Sequence, residues 1–280
     1  MKLIHKVEEC AVYESNKHSY ASFSSSKEND PPPIKTYLLK IAPTITESTT
    51  AASSQLLNEL MVKIKHVTAH TSTSIKFKAQ QVVPLKTFIE ELHASSSDGM
   101  AYTLTLKLLA DIGTQLERIR AERDVIVPFL SLEDIVVIVT SEPSDDKQEQ
   151  QQHDKQEQHN KQEQKVFDFV FINSEKLLQT NKKAPKELVV DVPLKVNKHT
   201  SFLPIELPES ALKRLPMRLT ATSWYYSLSA LCIYALLQHK FKNGEDDIER
   251  IGRPFLHTSL YFCLKRCLKP DPEERVLLYV

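Results

Sequence analysis

Four glycines in 280 residues constrain this chain more than any other feature. Gly99, Gly113, Gly244 and Gly252 stand too far apart for any two to build a G-x-G-x-x-G turn or a Walker A loop. Both devices need closely spaced glycines, because a backbone without Cβ can bring its N–H groups close against phosphate. The sequence therefore argues against a Rossmann dehydrogenase or a P-loop nucleotidase.

Charge narrows the classes further. The 36 Lys+Arg are balanced by 36 Asp+Glu, and the pI is about 7.1. Such a balance gives no electrostatic case for nucleic acid or an acidic membrane as principal partner. The N-terminal MKLIHKVEECAVYE carries acids inside any possible signal core, so no secretory signal is predicted. The longest apolar run, Trp224 to Leu237, is 14 residues and contains Ser227 and Ser229. It is short for a membrane span and predicts a buried core helix. Cys10, Cys232, Cys263 and Cys267 have no framework spacing, which predicts reduced thiols and an intracellular, cytoplasmic protein.

Periodicity places the elements. Residues 15–33 and 44–54 are polar and predict loops, with a strand TYLLKIA from Thr36 to Ala42 between them. Leu56, Leu57, Leu60, Met61 and Ile64 recur at helical spacing, with Ser53 or Ser54 as N-cap. SIKFKA and QQVVPL are strand-like, and helices are predicted over 85–94 and 100–121. Residues 135–140 and 166–172 are β-rich. The KQEQ-bearing polar segment between them predicts a disordered expansion at a hairpin tip. Helices are predicted over 208–213, 222–238 and 254–268.

Five segments stand in a telling order. They are TYLLKIA with Lys40, NELMVKIKHV with Glu59, SFLPIEL with Glu206, SWYYSLSALCIYALL, and LKRCLKPDPEERVLL with Arg275. Together they resemble the eukaryotic-type protein kinases, and divergent kinase-like proteins of large DNA viruses in particular. The last is similar to the family's C-L-x-x-D-P-x-x-R-x-x-L. SFLPIEL is similar to its A-P-E region, and the apolar helix to D-x-W-S-L-G. The resemblance implies an α+β, two-lobed fold: a small β-rich lobe over 1–84 and a mainly helical lobe over 85–280, with the disordered insertion at 141–165. It implies that Lys40 is the strand lysine and Glu59 its helix partner. It also implies that Glu206 and Arg275 form a structural ion pair.

The same resemblance exposes what the chemistry lacks. Phosphoryl transfer is mostly positioning and charge neutralisation, so each missing group matters. Aligning LEDIVVI with the family's P-E-N-I-V-V-I places Asp134 at the metal-binding Asn and Ser131 at the catalytic-loop Lys. Val127, Pro128 and Phe129 then fall on His-Arg-Asp, and Phe129 cannot accept a proton. A rival register uses Glu122-Arg123-Asp124, but Phe129 then stands where the Asn should be. Asn173-Ser174-Glu175 replaces Asp-Phe-Gly; an amide oxygen brings no charge to Mg²⁺. Trp224 replaces the acid that anchors the catalytic loop, and it accepts no hydrogen bond. The segment that would cover the phosphates has no glycine.

Other constellations are weaker. His66 and His70 have metal spacing on a predicted helix end without a third ligand. Cys263 and Cys267 sit four apart on an amphipathic helix, where packing is the expected role. The expectation is a pseudokinase, an interaction or scaffolding module with an unidentified protein partner. No nucleic acid, membrane, metal or required cofactor is expected, only weak ATP binding at a vestigial Lys40–Glu59 site. If the chain is viral, the host cytoplasm is its place. Two alternatives stay open. One is an aberrant Ser/Thr kinase using Lys40, Glu59 and Asp124 or Asp134; the other is a structural protein unrelated to kinases.

Overall fold

The computed structural model describes residues 1–8, 10–15, 33–41, 47–95, 98–123, 125–142, 164–179, 187–190, 194–207, 215–242 and 245–277. The predicted helix 208–213, Asp124 and most of the KQEQ segment lie outside them.

The N-terminal part is a five-stranded antiparallel sheet. Its strands are β1 (Lys2–Val7), β2 (Cys10–Glu14), β3 (Lys35–Ile41), β4 (Val67–Thr71) and β5 (Ser74–Ala79), in spatial order β1-β2-β3-β5-β4. Successive side chains along a strand point to opposite faces. Tyr37, Leu39 and Ile41 of β3 therefore face inward with Ile75 and Phe77 of β5, while Lys40 faces out. Tyr37 lies directly opposite Phe77, and the rings stack at 5.8 Å. Helix α1 (Glu47–Lys63) lies between β3 and β4 in sequence and buries Leu56, Leu57 and Leu60. It begins earlier than the helical stripe suggests, because its first turns hold Ser, Thr and Ala, which carry no hydrophobic period.

Strand β6 (Gln81–Pro84) leads into α2 (Leu85–Ala94) and the long α3 (Asp98–Arg123). Leu85, Phe88, Ile89 and Leu92 form the buried stripe of α2 at the spacing of one helix face. Short strands β7 (Val125–Ile126) and β8 (Leu130–Ser131) follow, then the hairpin of β9 (Ile135–Glu142) and β10 (Gln164–Phe171). The hairpin is antiparallel from Gln164↔Glu142 to Phe171↔Ile135, so the polar segment is inserted at its tip.

The remainder carries β11 (Leu178–Gln179), β12 (Glu187–Val190), β13 (Ser201–Phe202), β14 (Met217–Thr220), α4 (Ser223–Leu237), α5 (Ile248–Ile251) and α6 (Ser259–Cys267). Helix α4 is buried on nearly every side, as its unbroken apolar run requires. The architecture is α+β and two-lobed, a small sheet-rich lobe above a larger helical one. One hydrophobic core runs through both, from Val12, Leu39 and Phe77 to Leu130, Trp224 and Leu264. A smaller cluster joins Phe129 to Ile126, Val190, Leu207, Met217 and Leu219. His66, expected at a helix end, follows α1 with a positive φ of 60°, and His70 lies on β4 rather than a helix.

Candidate functional site

The turn after β8 builds the centre of the site. Ser131 and Asp134 close a capping box around the 3-10 turn Leu132–Asp134, each side chain bonded to the other's backbone N–H. This S-x-x-D spacing is visible in the sequence, and it fixes Asp134 with only 1% exposure. Asp134 Oδ2 accepts from Ser131 N at 2.7 Å and from Lys176 Nζ at 2.6 Å. Oδ1 accepts from Asn173 Nδ2 at 2.8 Å. Asn173 is held in turn by Glu175 N, which donates to its Oδ1 at 3.1 Å.

Lys176 is the residue that sequence reasoning missed. It ends the 3-10 turn Ser174–Lys176, which folds its side chain back toward Asp134. Its ammonium donates to Asp134 and to Ser131 Oγ (2.7 Å) and lies 4.0 Å above the Phe129 ring centre. Ser131 Oγ also meets Ser201 Oγ at 2.8 Å, tying β8 to β13. The lysine's position three residues after Asn173 carries no local signal. Only the fold reveals its partners.

Asp134, Asn173, Ser131 and Lys176 line a cleft of about 340 Å³, with Lys6 and Glu8 of the β1–β2 hairpin above them. The hairpin reaches down onto the lower lobe. His5 Nε2 lies 2.7 Å from the Glu133 carbonyl oxygen, and Cys10 Sγ lies 3.5 Å from Ser174 Oγ. Phe129, 1% exposed, is packed in the smaller apolar cluster and offers no acceptor to a reacting hydroxyl.

The donors do not suit a Mg²⁺ ion. A hard divalent cation needs oxygen ligands with free lone pairs and, preferably, negative charge. Of the carboxylates lining the cleft, Asp134 already accepts three hydrogen bonds, one from an ammonium, Glu133 accepts from Asn197 and Thr200, and Glu8 from Lys195. Among the described residues no group of three His, Cys, Asp or Glu side chains is arranged to hold a metal.

The other expected pair is not brought together. Lys40 lies on the outer face of β3, with its ammonium 5.6 Å from the Tyr13 ring centre. Glu59 is 8% exposed on α1 and lies 4.0 Å from Arg118 of α3. Among the described residues Lys40 and Glu59 form no ion pair. The reason is the two-residue period of a strand: inward positions of β3 are 37, 39 and 41, and Ile41 takes the inward place next to Lys40.

Glu206 and Arg275 do meet. Arg275 donates from its two terminal nitrogens to Oε1 and Oε2 at 2.7 and 2.8 Å. Its Nε donates to the Lys269 carbonyl at 2.8 Å, and Ser223 Oγ donates to Glu206 at 2.7 Å. The guanidinium also lies 5.2 Å from the Tyr226 ring centre and is fully buried. Trp224 accepts nothing, as expected, yet the loop below the cleft is still tethered to α4. Ser227, one turn further along, accepts from Leu130 N at 2.6 Å and donates to the Phe202 carbonyl.

No helix among the described residues is long and apolar enough to cross a membrane. No family model matches the sequence, and no curated protein matches it either. Among solved structures, a rhoptry kinase from Toxoplasma gondii is similar over 99% of this chain and 73% of its own, at 14% identity and a TM-score of 0.50. With the sheet order and the hairpin register, that likeness gives the chain a protein kinase-like fold.

Proposed function

We propose that this protein is a pseudokinase, a kinase-shaped interaction or scaffolding module that transfers no phosphate. One observation carries the reading: the Lys176 ammonium neutralises Asp134 from within the chain, at the place where the resemblance puts a kinase's metal-binding Asn. An internal cation and a bound Mg²⁺ compete for the same lone pairs. Phe129 at the proton-accepting position and Lys40 on the outer face of β3 support the same conclusion. Without the metal's charge, the strongest source of affinity for a triphosphate is missing. ATP then binds weakly or not at all, and independently of Mg²⁺. Four buried cysteines outside any disulfide, Cys10, Cys232, Cys263 and Cys267, support an intracellular setting, with a protein as partner.

The test is a pair of measurements. Incubation with γ-labelled ATP is expected to give no label transfer, to itself or to a general protein substrate. In thermal-shift titrations, millimolar ATP is expected to raise Tm little, and equally with and without Mg²⁺. A ligand at a hundredfold excess over Kd would stabilise the native state by about 2.7 kcal/mol. A large Mg²⁺-dependent shift, or autophosphorylation abolished by Lys40→Ala, would replace this reading with an aberrant Ser/Thr kinase.

A further inference from the structure

The N-terminal sheet turns one face to the core and leaves the other open. Val12, Tyr37, Leu39, Ile75 and Phe77 are buried on the core face, so alternate positions of the same strands point outward. The strand register fixes which outward residues meet. Lys6 of β1, Ala11 of β2 and Lys40 of β3 lie in one row. Leu3, Tyr13, Leu38 and Lys76 of β5 lie in the next, and Lys78 follows opposite Thr36. Lys6, Lys40 and Lys78 are exposed and Lys76 is half-buried. In the second row Leu3 is 50% exposed, with Tyr13 and Leu38 half-buried beside it. Strands β1–β5 hold six lysines and one acid, Glu14, which has the core-facing parity of Val12 and pairs with Lys35 at 3.2 Å. Among the described residues no carboxylate pairs with Lys6, Lys40, Lys76 or Lys78. The chain as a whole is neutral, so the positive charge on this face is segregated rather than surplus. Like charges on neighbouring strands repel, and solubility is served by both signs interspersed.

We propose that this outer face docks an acidic, extended segment of a partner protein through its lysines and one apolar anchor. Charge complementarity sets the sign of the partner: carboxylates supply the opposite charge that the face lacks, and they relieve the repulsion between Lys40 and Lys76 on adjacent strands. Spacing sets its form. Lys76 and Lys78 stand two residues apart on one strand, about 7 Å, which is also the spacing of alternate side chains in an extended partner chain. The row of Leu3, Tyr13 and Leu38 gives an apolar side chain a place to rest between the lysines. A lipid bilayer fits less well. Tyr13 and Leu38 lie half-buried rather than standing proud, the sheet is twisted, and surface insertion depends on apolar area pushed into the lipid. The proposal takes from the preceding section only that the partner is a protein; Lys40, Lys76 and Lys78 stand apart from Asp134 and Lys176, whatever chemistry the cleft performs.

The experiment is fluorescence anisotropy of the full chain with a labelled acidic peptide, EDEFEDE, and with KRKFKRK as the opposite-charge control. The acidic peptide is expected to saturate with a Kd on the order of 100 μM at low salt and to weaken several-fold as salt rises from about 0.05 to 0.2 M. The basic peptide should not bind. The double variant Lys76→Gln/Lys78→Gln should weaken the acidic peptide about fivefold, with Tm unchanged or raised. Arg253→Gln/Arg266→Gln, which removes the same charge from exposed positions of the helical lobe, should leave the affinity as it is. Absence of saturable binding, equal losses in the two double variants, or no loss in either would overturn the proposal. So would co-sedimentation with vesicles of equal parts phosphatidylserine and phosphatidylcholine that Lys76→Gln/Lys78→Gln abolishes, since that assigns the face to lipid. Label transfer from ATP would overturn the pseudokinase reading and leave these results standing, so the two failures are distinguishable.

Discussion

Arg275 illustrates how a single side chain becomes indispensable without taking part in chemistry. Its guanidinium is removed from water, and its nitrogens are answered by Glu206, Lys269 O and Pro270 O. Removing one partner of such a buried pair leaves the other charge desolvated and unanswered, at about 3–5 kcal/mol. Arg275→Ala is therefore expected to lower Tm by on the order of 10 °C. Arg275→Lys should fall between, because a point charge cannot reproduce the two-pronged contact. Lys40→Ala, at an exposed site over Tyr13, should change Tm little. Differential scanning calorimetry of the three variants distinguishes these outcomes. Equal stability of Arg275→Ala and the parent would contradict the geometry of this lobe.

At the scale of elements, α1, α3 and β10 meet around charged side chains as well as apolar ones. Lys63 at the end of α1 donates to the Asp111 carbonyl of α3 at 2.7 Å, and Asp111 Oδ2 accepts from Phe169 N of β10 at 2.9 Å. Lys107 spans Asp111 and Asp168 at 3.1 and 3.2 Å. Burial pulls the Lys63 pKa down from 10.5 to about 8, although Asp111 opposes the shift. Between those two values the unfolded chain holds a proton that the native protein has released. The Lys63 contribution to stability therefore rises with pH across that window and is least below pH 8. Burial of the Cys232 thiol, and the hydrogen bond with Cys263 together with burial at Cys267, work the other way above the ordinary thiol value of 9, since the native state keeps protons that the unfolded chain loses. The measurement that isolates Lys63 is the difference in Tm between the parent and Lys63→Met. That difference should shift in favour of the parent as pH rises from 8 to 10. A pH-independent difference would show that Lys63 keeps its ordinary pKa.

At the scale of the molecule, the continuous core matters most. Sheet residues such as Leu39 and Phe77 belong to the same buried cluster as Trp224 and Leu264 of the helical lobe. His5 and Cys10 add polar contacts across the cleft to Glu133 and Ser174. Two lobes that share a core lose their packing together, so thermal unfolding is expected to be one transition with calorimetric and van't Hoff enthalpies in agreement. Two resolved endotherms would mean that the sheet-rich lobe melts alone.

What could be read from the chain alone follows from local physics. Helix α2 was legible because four apolar residues share one face, and α4 because an unbroken apolar run has nowhere to go but inside. The β9–β10 hairpin was legible from two β-rich runs flanking a segment with nothing to bury. That positions 129 and 173 carry no carboxylate is a fact of the sequence alone. Strands β12, β13 and β14 were not, since two to four residues are too few to show a period. Nor was the inward face of β3: TYLLKIA has apolar residues on both faces, and only packing against β5 and the core selects Tyr37, Leu39 and Ile41 over Lys40. The ammonium on Asp134 and the hydroxyl of Ser227 under Leu130 depend on partners 42 and 97 positions away in sequence. Sequence determined which groups the chain has to offer; tertiary structure decided which of them meet, because burial and hydrogen bonding are satisfied in space and not along the chain.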